Sequence, residues 1–131
     1  MKKNFHSQGK RKRAIARATL RPGTGKVYLN HQLLENSNGS LARLRISEPL
    51  LLAGEAAKTI DVELTVRGGG IQGQADAARL AIARALVQQD KKLEKVFIGY
   101  DRLLLVADVR RKEVRKPNDS KARAKRQKSY R

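Results

Sequence analysis

Read for its apolar and polar positions, the chain alternates before it coils. Residues 59–67, TIDVELTVR, place Ile60, Val62, Leu64 and Val66 on one side and Asp61, Glu63, Thr65 and Arg67 on the other. That period of two predicts a strand buried on one face only. Residues 14–20, AIARATL, alternate in the same way. The turn Arg21-Pro22-Gly23-Thr24-Gly25-Lys26 and the apolar Val27-Tyr28-Leu29 follow, which predicts a β-hairpin. Asn30-His31 predicts a second tight turn before Gln32-Leu33-Leu34, and residues 36–40 predict a loop. Leu41 to Ala53 has a helical pattern that Gly54 would end, and Ser47-Glu48-Pro49 is a helix-start signal. Residues 71–90 predict the main helix, with Ile71, Ala75, Ala78, Ile82, Ala85 and Leu86 on one stripe. Arg79 and Arg84 lie off it, open to a solvated face or to a contact with RNA. Residues 91–98 predict a short helix and Leu103–Ala107 a last strand, with Asp108 opening the exit into the C-terminal segment. The expected fold is α+β: a two-layer sandwich, with helices on one face of a mixed sheet.

Charge changes this picture at the ends. The 131 residues carry 30 Lys or Arg against 12 Asp or Glu, a formal charge of +18. Residues 1–21 hold +8, residues 110–131 hold +9, and the 88 residues between them only +1. A balanced middle folds like any globular domain, whereas like-charged ends repel themselves until a polyanion neutralises them. The expected division is therefore a globular nucleic-acid-binding domain over 1–109, including the basic N-terminal segment, and an extended basic tail over 110–131. The tail has almost no apolar side chain beyond Val114 and Tyr130 and cannot offset the entropy of its own ordering. Extended, its 22 residues reach roughly 75 Å at about 3.4 Å each. Neither end has the apolar face of a membrane-surface helix. With no Cys and only two His, disulfides, thiolate catalysis and multi-histidine metal sites are excluded. No cofactor, metal or small-molecule substrate is expected, and no apolar run approaches the roughly 20 residues of a membrane helix.

Gly68-Gly69-Gly70-Ile71-Gln72-Gly73 matches the G-x-G-x-x-G dinucleotide pattern between a strand and a helix. The enzyme reading fails on its surroundings. A first Rossmann strand is apolar on both faces, but this one carries Asp61 and Glu63. The acidic residue needed about 20 positions on falls in Asp90-Lys91-Lys92-Leu93-Glu94, a lysine-rich helical stretch. Two uses of the glycines stay open and are compatible: close approach of backbone N–H groups to a phosphate, and a tight strand-to-helix turn.

The segments GKRKRAIARATLRPGTGKVYLN, VRGGGIQGQADAARLAIARAL, LLLVADVRRKE and QKSYR, in this order and spacing, resemble the S-nine family of small-subunit ribosomal proteins, also called uS-nine. The ending resembles the archaeal and eukaryotic branch. The resemblance implies a four-stranded mixed sheet with two main helices on one face and a left-handed βαβ crossover. It implies a structural, non-enzymatic role in the cytoplasmic ribosome, among neighbouring proteins of the subunit head. The expected contacts to ribosomal RNA are Lys10, Arg11, Lys12, Arg13, Arg17 and Arg21, then Arg67, Gly68, Gly69 and Gly70. In the tail they are Arg110, Arg111, Lys112, Arg115, Lys116, Lys121, Arg123, Lys125 and Arg126. Lys128, Ser129, Tyr130 and Arg131 are implied to approach transfer RNA in the peptidyl site. Tyr130 departs from the bacterial pattern, and stacking on a base or ribose is chemically available to it. The alternative class is a general basic protein that compacts nucleic acid, which calls for a repeated binding surface; no repeat is present.

Overall fold

The structure is a computed structural model that describes residues 3–37, 39–127 and 129–130. Five strands form one mixed sheet: β1 (Phe5–Arg11), β2 (Ala14–Pro22), β3 (Val27–Leu29), β4 (Gln32–Leu33) and β5 (Ile60–Arg67), in the order β1-β2-β5-β3-β4. Helices α1 (Ser40–Ala53), α2 (Glu55–Lys58), α3 (Ile71–Gln89) and α4 (Leu93–Tyr100) follow or interrupt the strands, with short 3-10 turns at Leu34–Asn36 and Arg102–Leu104.

Both alternating segments bury the face their pattern assigns. Ala14, Ala16, Ala18 and Leu20 of β2 meet Ile60, Val62, Leu64 and Val66 of β5 beneath α3. Ala75, Ala78, Ile82, Ala85 and Leu86 of α3 pack onto them, and the small alanines let the helix come close. Ile71, at the start of the expected stripe, is instead 68% exposed. It stands in the first turn of α3, beside the glycine loop and outside the core cluster.

Several expectations are corrected. The sheet has five strands, because the N-terminal basic segment is itself a strand: β1 pairs antiparallel with β2 from Phe5↔Leu20 to Arg11↔Ala14. Its polar residues need no apolar face of their own, since β2 supplies the ladder and Gly9 lets α3 approach. A Cβ at Gly9 would run into the Ala77 carbonyl. The hairpin expected between β2 and β3 does not form. The eight-residue β5 pairs antiparallel along β2 from Ile15↔Arg67 to Pro22↔Ile60, and so excludes the three-residue β3. The Gly23–Lys26 loop passes over the start of β5, where Asp61 accepts the Thr24 and Lys26 N–H groups at 2.8 and 3.0 Å. β3 then lies parallel to β5 on its far side. The β3–β4 turn forms as read, with Asn30 and His31 both at positive φ.

Ser40, read as loop, opens α1, and Asn36 closes a 3-10 turn; Asn38 lies outside the described residues. Pro49 sits inside α1, well past the real start. It leaves the Arg45 carbonyl without a helical donor, a cost of roughly 3 kcal/mol. Burial of Ile46 and Pro49 against the rest of the fold offsets it. The last strand expected over residues 103–107 is a 3-10 turn ending at Leu104, whose buried side chain plugs the core. Arg79 and Arg84 are engaged inside the protein. With α1 and α4 flanking α3, Arg79 is 7% exposed and bridges Glu48 of α1 (2.7 Å) and Asp101 beyond α4 (2.9 Å). Arg84 donates to the Gln8 and Leu105 carbonyls, both at 3.1 Å.

Candidate nucleic-acid interface

The site begins with a turn that breaks a local rule. Arg11-Lys12-Arg13-Ala14 closes the β1–β2 hairpin with Lys12 at φ 54°, a conformation that favours Gly or Asn. The result is a run of cations at the tip of a rigid hairpin. The glycine loop folds over it. Gly68 and Gly69 have φ of 74° and 67°, and a Cβ on Gly68 would sit 2.6 Å from the Arg13 carbonyl. Those two glycines therefore serve the tight turn. Gly70 faces open space and begins α3 with no side-chain cap. Gln74 steadies the loop through a hydrogen bond from Nε2 to the Gly68 carbonyl at 3.1 Å.

These pieces surround a cleft of about 1670 Å³. Lys10, Arg11, Lys12 and Arg13 form one side, Gly69 to Gly73 the floor, and Arg110, Arg111, Lys112, Glu113, Val114 and Arg115 the other side. Gly39, Leu41 and Ala42 bring the start of α1 to the same place, and α1 too lacks a side-chain cap. Two helix N-termini, with their partial positive charge, thus converge with eight Lys or Arg side chains against the carboxylate of Glu113. Gln72 and Gly73 belong to the glycine motif without being among the expected contacts, and Gly39, Leu41 and Ala42 carry no sequence signal for the site; only the folding of distant segments onto one place marks them.

Some expected cations already have carboxylate partners. Arg11 lies 2.9 Å from Asp108 and 3.7 Å from Asp76, and Asp76 also pairs with Arg45. Arg110 closes onto Asp108 at 2.7 Å, and Arg21 onto Glu63 at 3.3 Å. Arg110 first, and Arg11 beside it, hold the Asp108 carboxyl well below the usual carboxylate range. Arg123 grips Glu113 through Nη2 and Nε, at 2.7 and 3.0 Å, and lowers its pKa. Among the described residues, Lys10, Lys12, Arg13, Arg17, Arg67, Arg111, Lys112, Arg115, Lys116, Lys121, Lys125 and Arg126 have no carboxylate within ion-pair distance. Arg17 and Arg67 stand on the sheet face turned away from the helices, beside the cleft edge at Ile15. Ser129 and Tyr130 are exposed, far along the chain from the cleft residues; Lys128 and Arg131 lie outside the described residues.

The dinucleotide reading also fails in three dimensions, since the strand before the glycines runs antiparallel to one neighbour, β2. Among the described residues no three His, Asp or Glu side chains gather as a metal site, and no helix is long and apolar enough to cross a membrane.

The fold is a two-layer α+β domain with a cleft at one end where cations outnumber carboxylates, six of its eight Lys and Arg having no carboxylate within ion-pair distance. The family described as Ribosomal protein S9/S16 matches residues 9–131. The small ribosomal subunit protein uS9 of Methanococcus maripaludis (strain C7) is 48% identical over 133 residues, covering 98% of this chain and 99% of that protein. Its counterpart in Methanothrix thermoacetophila is 47% identical over 131 residues, with the same coverage. The chain belongs to this ribosomal protein family, whose members are structural and not enzymes.

Proposed function

We propose that this protein anchors itself through its basic cleft to the ribosomal RNA of the small-subunit head, in the cytoplasmic ribosome among neighbouring head proteins. The folded body over 1–109 sets the register. The tail over 110–131 carries charge into gaps between RNA segments that a folded domain cannot enter. The supporting observation is convergence: the β1–β2 turn, the glycine loop and the root of the tail, distant in sequence, line one cleft with eight basic side chains. Phosphates neutralised there release counterions, so binding weakens steeply with salt. The end of the tail, Lys128 to Arg131, reaches transfer RNA in the peptidyl site on this reading. Its support is the tail's length, its lack of any acid over the last twelve residues and a family match that runs through residue 131.

The test is sedimentation with purified small subunits across a salt series. Co-sedimentation at low salt with release only at high salt is expected. A protein that stays in the supernatant at low salt contradicts the reading.

A further inference from the structure

The root of the tail is held by polar contacts. After the Arg102–Leu104 turn, Arg84 pins the Leu105 carbonyl to the body, and Asp108 follows with a side chain only 11% exposed. Its Oδ2 lies between two guanidinium groups, 2.9 Å from Arg11 Nη1 and 2.7 Å from Arg110 Nη2. Its Oδ1 accepts the Arg110 backbone N–H at 2.9 Å. Arg11 connects onward to Asp76 of α3, and Asp76 to Arg45 of α1. The next residue, Val109, is 87% exposed, so no apolar anchor helps. Among the described residues, Asp108 is the last carboxylate that pairs with the folded body; Glu113 pairs only within the tail.

A carboxylate at the rim of a polyanion cleft repels the ligand. We infer that Asp108 is a positioning residue: it binds no RNA, but by clamping Arg11 and Arg110 it fixes the direction in which the tail departs, so that Arg111, Lys112 and Arg115 form the wall opposite the glycine loop. This inference rests on the cleft being the RNA site. The two accounts of Asp108 differ in sign. As mere charge, replacing it strengthens binding to RNA. As a clamp, replacing it weakens binding, because a wall of tethered cations loses its orientation and its effective concentration falls.

The experiment uses the full chain, with and without Asp108→Asn, and a transcript of the head domain of small-subunit ribosomal RNA. The variant keeps the side chain's size while raising the net charge by one. The chain has no Cys, so spin labels at Thr65→Cys and at Val109→Cys, the exposed residue just past the clamp, report the distance from body to tail root alone. The expected result is affinity lower by about fivefold, the cost of having to order about one long side chain on binding. The distance distribution broadens while circular dichroism stays unchanged. Equal or tighter binding by D108N, or an unchanged distance distribution, overturns the clamp and leaves the cleft reading standing. Failure of the parent chain to bind the transcript overturns both. Should D108N not fold, the labelled parent chain decides the matter: a narrow distance that broadens at high salt supports the clamp, and one already broad at low salt overturns it.

Discussion

The first 21 residues and the last 22 carry almost the same charge, +8 and +9, yet they meet different fates. The first segment supplies β1 and most of β2, whereas residues 110–127 contain neither helix nor strand. Charge density does not separate them. What separates them is a partner. β1 has only polar and small residues behind Phe5, but it pairs along its whole length with β2, whose inward Ala14, Ala16, Ala18 and Leu20 belong to the core. Gly9 then admits α3 to within backbone contact. The tail offers no alternating face, and Val114 stands 89% exposed. A strand borrows stability from its neighbour, so a cationic segment folds when a neighbour with a buried face is at hand and otherwise does not.

The largest test of that contrast is deletion of residues 110–131. Affinity for head-domain ribosomal RNA is expected to fall about a thousandfold, ~4 kcal/mol, through loss of several phosphate contacts. The plot of log affinity against log salt should flatten by about 0.7–0.9 per lost contact. Thermal melting should move by less than about 0.5 kcal/mol, as for other changes outside the core. Loss of cooperative unfolding on deletion would show the tail to be part of the fold and erase the distinction.

Gly9→Val attacks the other end. Side-chain atoms forced against the Ala77 carbonyl should separate β1 from α3 and destabilise the protein by about 3 kcal/mol, measured by denaturant unfolding. The tail change Val114→Asp, read in the same assay, should register within about 0.5 kcal/mol. Similar losses at the two sites would contradict the idea that pairing with β2 is what folds the basic N-terminal segment.

Removing Lys128 to Arg131 divides the tail itself. Transfer-RNA binding to small subunits carrying the shortened protein should weaken by about 1–3 kcal/mol, the worth of one or two charge-assisted contacts, with assembly intact. Filter binding at fixed salt and magnesium measures it. Failed assembly would place those residues on ribosomal RNA instead.

The smallest effect concerns acid and a carboxylate of the folded middle. The N–H groups of Lys26 and Thr24 lower the Asp61 carboxyl below its ordinary value. Because folding lowers this pKa, the stabilisation is complete above the ordinary Asp range, near pH ~4, and is lost as pH falls through the lowered value. Asp61→Asn should flatten that acid limb of a stability-against-pH curve. An unchanged limb would move the origin of acid sensitivity elsewhere.

Local pattern alone was enough for β5, for the β3–β4 turn and for α3, because each is set by the order of apolar and polar residues over a short stretch of chain. Family membership and the concentration of charge at the ends were equally legible, since both are properties of composition and motif. Three-dimensional packing decided the rest. The pattern of β2 and β3 suits a hairpin, and only competition from the longer β5 moved β3 to its far side. Arg79 and Arg84 look like surface residues by spacing, and became internal struts because α1, α4 and β1 close around α3. The basic residues were each visible along the chain, but their convergence was not. Hairpin tip, glycine loop and tail root share a cleft only because β1 and β5 both flank β2 and end at the same edge of the sheet, while Asp108 returns the chain to Arg11. Periodicity is a local signal, whereas strand order and ion-pair partners depend on which distant segments compete for the same face, and that competition is settled only when the whole core packs.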